Sequence, residues 1–234
     1  MNSSVSELHH QHQGKISHRW VSYLENYSRL FDNRRNDPVR LLEIGIQNGG
    51  SLEIWAQYFP LATLLLGCDI DPLCGHLSYE DQRIAVVVED ACSMEGLRKI
   101  KAYSSTFDFV IDDGSHRSGD IVVAFANYFP LISEGGVFII EDLHCSYWHD
   151  FEGGLVAPFS AITFFKRLVD VINHEHWGVP VSRGAYLRSI VTHYGCEFDE
   201  DLLAQVHSVE FINSMCVIKK RSACVNKLGQ RAIV

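Results

Sequence analysis

The stretch Phe107-Asp-Phe-Val-Ile-Asp-Asp-Gly-Ser-His116 decides the fold of this chain. It begins as a mostly apolar run without strict alternation, which is typical of a strand covered on both faces in a parallel sheet. The strand ends in two carboxylates and a histidine, and a second apolar run, Gly136–Ile140, ends in Glu141 and Asp142. Two such strand ends side by side would concentrate carboxylates, and concentrated carboxylates favour a metal ion.

The sequence on both sides of this stretch alternates between apolar runs and helix-length intervals. The runs are Val39–Ile44, Thr63–Cys68, Ile84–Glu89, Phe107–Ile111 and Gly136–Ile140. This order predicts parallel strands joined by right-handed helical crossovers. Two further runs, Val206–Ile212 and Met215–Lys220, are separated by only two residues, which predicts a hairpin. The fold class is therefore α/β, a doubly wound, mostly parallel, Rossmann-like seven-stranded sheet with a C-terminal antiparallel hairpin strand and an N-terminal helix.

The N-terminal region predicts a lead-in followed by a helix. Residues 1–14 are polar and rich in Ser, His and Gln, which predicts disorder, although His9, His10 and His12 leave a metal-binding tail as the alternative. Residues 16–31 carry apolar side chains at spacings of three and four, which predicts a one-sided helix. We expect a single domain over 15–234, with an N-terminal helical segment at 15–38 and a substrate-side insertion or lid at 143–180.

Composition limits the partners and the cellular location. The 234 residues are 47% hydrophobic, enough for a substantial core, and the formal net charge of −9 disfavours nucleic acid and anionic membranes as partners. No apolar run is long enough to span a bilayer. The seven cysteines are scattered without a CxxC pair, and the polar start does not resemble a signal peptide. These features predict a cytoplasmic protein that acts on a small molecule.

A glycine-rich loop, Gly45-Ile-Gln-Asn-Gly49-Gly50-Ser51, follows the first strand and predicts a ligand-binding turn. Gln47 occupies the position of the second glycine of a GxGxxG motif, so the loop would bind a pyrophosphate less well. A nicotinamide dinucleotide is therefore disfavoured. Asp69 ends the second strand, where a carboxylate can accept hydrogen bonds from both ribose hydroxyls. Asp90 ends the third strand. These features predict a nucleoside pocket without a strong phosphate grip, which suits S-adenosylmethionine (SAM).

The segments Leu41–Gly45, Gly49–Ser51, Gly67–Pro72 and Glu89–Ala91 resemble the motifs of class I SAM-dependent methyltransferases. By this resemblance Glu43 helps to position the methionine amino group, Asp69 holds the ribose and Asp90 lies near the adenine. Asp71 is better explained as a turn residue before Pro72. The expected cofactor-binding residues are Tyr23, Glu43, Gly45, Gly49, Ser51, Asp69, Asp90 and Asp112. For Asp112, capping of the following segment is an alternative, and for Tyr23 helix packing is an alternative.

Asp113, His116, Glu141 and Asp142 form the distinguishing group, because parallel strand ends open into the same crevice of a doubly wound sheet. Carboxylate oxygens suit Mg²⁺, and an imidazole with a pKa near ~6.5 can take a proton from a hydroxyl. The passages Ile111–His116 and Gly135–Asp142 closely resemble the macrocin and mycinamicin sugar O-methyltransferases. This resemblance implies Mg²⁺ ligands at Asp113, Glu141 and Asp142 and a general base at His116.

The same resemblance implies substrate contacts at Tyr147 and Trp148, for which core packing is the alternative. The implied function is Mg²⁺-dependent transfer of the SAM methyl group to a hydroxyl of a small natural product, with a sugar of a glycosylated metabolite as the preferred acceptor. A catechol or phenol O-methyltransferase is an alternative, although those enzymes have a lysine in the place of His116. A SAM-binding protein without catalysis and a hydroxylase-like relative are the others. The resemblance also implies a homo-oligomer.

Overall fold

The computed structural model describes residues 3–232, and the chain groups into two compact units, Met1–Ser115 and His116–Val234. The sequence predicts one domain over 15–234, and that assignment stays a prediction. No helix within residues 3–232 is long and apolar enough to cross a membrane. No disulfide links the cysteines of this part of the chain.

The first unit contains four parallel strands, β1 (Arg40–Ile44), β2 (Leu64–Asp69), β3 (Ile84–Val88) and β4 (Phe107–Asp112). Each begins or ends within one residue of the apolar run that predicts it. Their order is β3-β2-β1-β4, so β1 is hydrogen-bonded on both sides and its carboxyl end lies beside the ends of β2 and β4. This order places Glu43 of β1 opposite Gly67 and Ile111.

The second unit contains β5 (Ile132–Ile140) and the predicted hairpin, β6 (Val206–Ile212) and β7 (Met215–Lys220). β7 pairs antiparallel with both β5 and β6. Ser214 adopts a φ of +66° in the two-residue turn between the hairpin strands, as such turns require. All seven strands belong to one sheet in the order β3-β2-β1-β4-β5-β7-β6, and the predicted fold class is confirmed.

Eight α-helices connect and flank the strands within residues 3–232. They are α1 (Val5–Gln11), α2 (Val21–Phe31), α3 (Gly50–Tyr58), α4 (Met94–Tyr103), α5 (Ser118–Tyr128), α6 (Ala161–Ile172), α7 (Arg183–Tyr194) and α8 (Glu200–Leu203). The helix predicted over 16–31 begins at Val21 instead. Ile16 and Trp20 are 60% and 59% exposed, whereas the buried face of α2 is formed by Tyr23, Leu24, Tyr27 and Phe31.

The N-terminal region differs from the disordered lead-in that the composition predicts. Ser4 and Glu7 form a reciprocal capping box at the start of α1, and Val5 is fully buried. Met1 and Asn2 lie outside the described residues. The Ser-x-x-Glu spacing was the available signal, and the polar composition concealed it.

Contacts with α3 hold the segment that follows α1. The backbone N–H and the ammonium of Lys15 both donate to Glu53, at 2.8 and 2.7 Å, and His12 Nε2 lies 3.2 Å from the same carboxylate. Burial opposes ionisation of Glu53, but the hydrogen bonds from Lys15 outweigh it, so the pKa of Glu53 lies below its ordinary value. Within residues 3–232, the histidines of this region belong to no group of converging metal-ligating atoms.

An aromatic cluster fixes α2 and α3 against the sheet of the first unit. The rings of Phe31 and Phe109 have centroids 4.4 Å apart, and Trp55 lies 5.0 Å from Tyr27 and 5.7 Å from Phe31. Phe31, Tyr27 and Trp55 are no more than 1% exposed. Buried aromatic side chains bring both area and preferred edge-to-face geometry. The cluster therefore fixes the Trp55 indole, whose Nε1 donates to Glu43 of β1 at 2.9 Å.

Candidate active site

Two glycines of the loop after β1 have positive φ values and no room for a Cβ. Gly45 has a φ of +83°, and a Cβ there would lie 2.1 Å from the carbonyl oxygen of Asp113. Gly49 has a φ of +75°, and a Cβ there would lie 2.1 Å from the Tyr79 hydroxyl, which donates to the Gly49 carbonyl at 3.1 Å. Burial, together with the nearby charges of Glu53 and Glu43, raises the pKa of Tyr79, so the hydroxyl remains a donor.

The loop backbone holds the Asp69 carboxylate at the end of β2. Asp69 Oδ2 accepts from the N–H groups of Ile46 and Gln47, at 2.9 and 2.8 Å, and Oδ1 accepts from the N–H of Asp71 at 2.9 Å. The carboxylate is half-buried, and its orientation is set by the loop that the sequence predicts as the cofactor turn. Asp71 accepts from the N–H of Leu73 at 2.9 Å, which is the turn role expected for it.

Asp90 and Asp112 both accept hydrogen bonds from nearby turns. Asp90 is exposed and accepts from the N–H of Cys92 at 2.8 Å; it lies just beyond β3, which is paired with β2. Asp112 is 5% exposed, ends β4, and accepts from the N–H of Gly114 at 3.4 Å. The contact of Asp112 fits the structural alternative to cofactor binding. Tyr23 is 1% exposed on the buried face of α2, which fits its packing alternative.

Glu43 is a fully buried carboxylate with three donors around it. Its Oε2 accepts from Ser51 Oγ and from Trp55 Nε1, both at 2.9 Å, and the Arg19 guanidinium pairs with Oε1. Ser51 and Trp55 are four residues apart and therefore share one face of α3. That spacing could have identified Trp55 from the sequence. Nothing in the local pattern around Arg19 indicates its role.

Arg19 also reaches the residue after β4. Its Nη1 lies 2.8 Å from Asp113 Oδ2, and the Arg19 side chain is only 4% exposed. The backbone N–H of Asp113 donates to the Ile44 carbonyl at 2.9 Å, which continues the pairing of β4 with β1. Asp113 is therefore held at the strand end by its backbone hydrogen bond, and its carboxylate is held by the buried Arg19 guanidinium.

In the second unit, His116 and Asp142 lie together. His116 Nε2 is 3.8 Å from Asp142 Oδ2, and His144 Nδ1 is 3.9 Å from Asp142 Oδ1. His116 and Asp142 adopt φ values of +58° and +50°, which are uncommon for residues other than glycine and are often found at functional sites. His144, which also contacts the Ser214 hydroxyl, was missed by sequence reasoning although it follows Asp142 by two residues.

Glu141 and the two predicted substrate residues have contrasting exposures. Glu141 is 3% exposed, directly after β5. Tyr147 and Trp148 are 40% and 51% exposed, so neither is a core residue, and the Trp148 ring packs edge-on against the His144 ring with centroids 4.8 Å apart. Within the predicted lid at 143–180, short turns at Leu143–Tyr147 and His149–Phe151 precede α6.

Comparison with known proteins identifies sugar-directed O-methyltransferases as relatives. No family model matches the chain. The demethylmacrocin O-methyltransferase of Streptomyces fradiae is 36% identical over 173 residues, which are 68% of this chain and 43% of that protein. The 8-demethyl-8-alpha-L-rhamnosyl tetracenomycin-C 2'-O-methyltransferase of Streptomyces olivaceus is 34% identical over 172 residues, 70% of this chain and 44% of that protein. The chain spans less than half the length of either relative.

A solved structure extends the likeness to almost the whole chain. It is the MycE methyltransferase from the mycinamycin biosynthetic pathway, in complex with Mg and S-adenosylhomocysteine (SAH). The TM-score is 0.79 at 26% sequence identity, and the match covers 98% of this chain and 56% of that one. The resemblance that the sequence motifs indicate is therefore confirmed: this chain is a relative of the macrocin- and mycinamicin-type O-methyltransferases.

Proposed function

We propose that this chain is a SAM-dependent, divalent-cation-dependent O-methyltransferase. One observation carries the proposal. His116 Nε2 lies 3.8 Å from Asp142 Oδ2, so an imidazole nitrogen and a carboxylate oxygen, both possible cation ligands, converge at one place in the second unit. Asp113 follows β4, the neighbour of β1, whose glycine loop orients Asp69. The glycine loop and Asp113 therefore follow the ends of two neighbouring strands, β1 and β4. Ligands of open α/β sheets bind at such strand ends.

SAM would be bound by the loop after β1 and the ends of β2 and β3. Asp69 retains acceptor capacity for a ribose hydroxyl at Oδ1, which receives one hydrogen bond, whereas Oδ2 already accepts two. Gly45 and Gly49 let the chain follow the cofactor closely. Ser51 and Glu43 support this loop from below through their mutual hydrogen bond. Asp90 would face the adenine, while Tyr23 and Asp112 remain weaker candidates because of their burial.

The donor set fits a divalent cation. Asp113 and Asp142 supply carboxylate oxygens, which Mg²⁺ prefers, and Glu141 is the third carboxylate by resemblance to the family. A cation bound there would lower the pKa of a hydroxyl that it coordinates. His116 Nε2 lies 3.8 Å from Asp142 Oδ2, so His116 could act as a ligand or as the base. We assign it as the base, because a methyl acceptor must lose a proton.

The reaction follows from these roles. The acceptor hydroxyl gives its proton to the His116 imidazole, and its oxygen forms a bond to the SAM methyl carbon. The carbon–sulfur bond breaks, and the products are a methyl ether and SAH. Asp142 Oδ2 lies 3.8 Å from His116 Nε2, beside the imidazole that would receive this proton. Because the displacement has an in-line geometry, most of the rate would come from orientation of the two reactants.

The acceptor that we propose is a sugar hydroxyl of a glycosylated natural product. The tetracenomycin relative is named for a rhamnosyl 2'-O-methylation. Tyr147 and Trp148 are both exposed, and the Trp148 ring packs against His144, which lies 3.9 Å from Asp142. A catechol acceptor is disfavoured by a histidine at position 116. The homo-oligomer and the cytoplasmic location stay predictions.

A methylation assay tests the proposal. The purified protein is incubated with methyl-labelled SAM, Mg²⁺ or EDTA, and either rhamnosylated polyketides or simple catechols, and products are read by mass spectrometry. We expect the glycosides to gain one labelled methyl group, and only with a divalent cation. Labelling of catechols alone would overturn the sugar assignment. A protein that binds SAM but methylates nothing would favour a non-catalytic role, and gain of oxygen would indicate a hydroxylase-like reaction.

A further inference from the structure

We propose that Arg19 is a positioning residue that couples the cofactor loop to Asp113, so that occupancy of the cofactor site changes the affinity of the cation site. The inference rests on the proposed function, and it concerns a residue that no sequence motif identifies. Arg19 lies in an extended stretch before α2, between the exposed Trp20 and His18. Its own side chain is turned inward and is 4% exposed.

A chain of hydrogen bonds connects the loop to Arg19. Ser51 and Trp55 belong to α3, whose first residue directly follows the loop glycine Gly49. Both side chains donate to one oxygen of Glu43, and Arg19 pairs with the other oxygen. A change in the position of the α3 N-terminus when a ligand enters the loop would therefore alter the orientation of the Glu43 carboxylate. The guanidinium that shares this carboxylate would respond.

The second half of the connection runs from Arg19 to Asp113. Nη2 of the guanidinium contacts Glu43, and Nη1 contacts Asp113 Oδ2 at 2.8 Å. A guanidinium is planar and presents its donors as a rigid fork, so the two carboxylates cannot reorient independently while both remain bound. The contact engages Oδ2 of Asp113, so Arg19 sets the direction of the remaining oxygen. The affinity of a cation bound by Asp113 would therefore depend on the direction of that oxygen.

Charge adds a reason for coupling. Glu43 is fully buried and Asp113 is 21% exposed at its side chain, and one guanidinium serves both carboxylates. The Arg19 guanidinium therefore compensates part of the charge of both carboxylates. If a ligand draws Arg19 towards Glu43, Asp113 loses compensation and becomes a stronger ligand for a cation. If the cation binds first, Arg19 is released towards Glu43 and the loop. Linkage requires both effects to have the same magnitude.

Cation and SAH titrations test this inference on the full chain. Mn²⁺ binding is measured by the electron paramagnetic resonance signal of the free ion, with and without saturating SAH, for the wild type and for Arg19→Lys. Lysine keeps the charge but has a single ammonium that cannot hold both carboxylates as a fork. Arg19→Lys therefore keeps a positive charge beside the buried Glu43. Arg19→Met, which removes that charge, serves as the second variant. Arg29→Lys, on an exposed position of α2, is the matched control.

We expect SAH to change the Mn²⁺ dissociation constant of the wild type and of Arg29→Lys by about fivefold or more, the lower end of usual coupling between sites. In Arg19→Lys the change should fall to within about twofold, while Mn²⁺ and SAH each still bind alone. Equal coupling in Arg19→Lys and wild type would overturn the role of Arg19 and leave the proposed function intact. Absence of coupling in the wild type, with both ligands bound, would do the same. Failure of the wild type to bind either ligand would overturn both proposals.

Discussion

His116 Nε2 lies 3.8 Å from Asp142 Oδ2, and both residues adopt left-handed backbone conformations. Such conformations cost energy for residues with a Cβ and are kept where the surroundings enforce them. Here they direct an imidazole and a carboxylate towards each other. This pair is the part of the second unit on which the proposed proton transfer depends.

The His116→Asn variant separates a base from a cation ligand. If His116 removes the proton, we expect the turnover number to fall by about 10²- to 10⁴-fold while Mn²⁺ binding changes little. Turnover and Mn²⁺ affinity are measured on the same preparation. His149→Asn is the control, because His149 is fully exposed. A parallel loss of Mn²⁺ affinity would make His116 a ligand and would move the base elsewhere.

Gly45→Ala should be much more destabilising than Gly135→Ala. Both glycines have φ values near +80°, but a Cβ at Gly135 meets no atom within 4 Å, whereas one at Gly45 meets the Asp113 carbonyl oxygen. The conformational penalty alone is about 1–2 kcal/mol, and the clash should raise the total at Gly45 to about 2–5 kcal/mol. Urea denaturation measures both variants. Equal losses of unfolding free energy would show that the loop relaxes away from β4.

Glu53→Gln should loosen the N-terminal segment in a pH-dependent way. The pKa of Glu53 is lowered in the folded chain, so its ionised form stabilises the fold above the ordinary carboxyl pKa, and that stabilisation is lost as the pH falls through the lowered value. Wild type should therefore be more stable than the variant at neutral pH, and the difference should shrink in acid. Thermal unfolding between neutral and acidic pH measures it.

The control for this experiment is Glu25→Gln, an exposed position on α2. Its stability difference from wild type should stay small at every pH. A Glu53→Gln difference that persists unchanged in acid would mean that Lys15 does not stabilise the ionised carboxylate.

Trp148→Ala should weaken acceptor binding without affecting stability. Trp148 is 51% exposed and its ring packs against the rings of His144 and Phe151, so its removal leaves no core cavity. We expect the KM for the acceptor to rise roughly tenfold, equivalent to about 1.4 kcal/mol, with an unchanged dissociation constant for SAH. Tyr103→Ala, at an equally exposed aromatic position at the end of α4, is the comparison variant. A raised SAH dissociation constant would place Trp148 in the cofactor site instead.

The sequence predicts the sheet well because buried parallel strands are continuous apolar runs with polar residues at their ends. The strand ends in turn predict Asp69 and Asp113, since the carboxyl ends of the parallel strands β2, β1 and β4 lie at the same edge. Arg19 could not be predicted in this way, because its partner Glu43 is distant in sequence and is reached only after packing, whereas the four-residue spacing from Ser51 could have indicated Trp55. The helix α1 was missed because a capping signal was outweighed by composition.

The proximity of cation and cofactor is the central claim, and paramagnetic relaxation measures it directly. SAM labelled with ¹³C at the transferred methyl group is bound to the protein without acceptor, and its NMR signal is compared in the presence of Mg²⁺ and of Mn²⁺. We predict strong broadening of the methyl signal by Mn²⁺, which Asp113→Asn and Asp142→Asn each reduce. If SAM and Mn²⁺ are both bound and the methyl signal is as sharp as it is with Mg²⁺, that result would contradict the account.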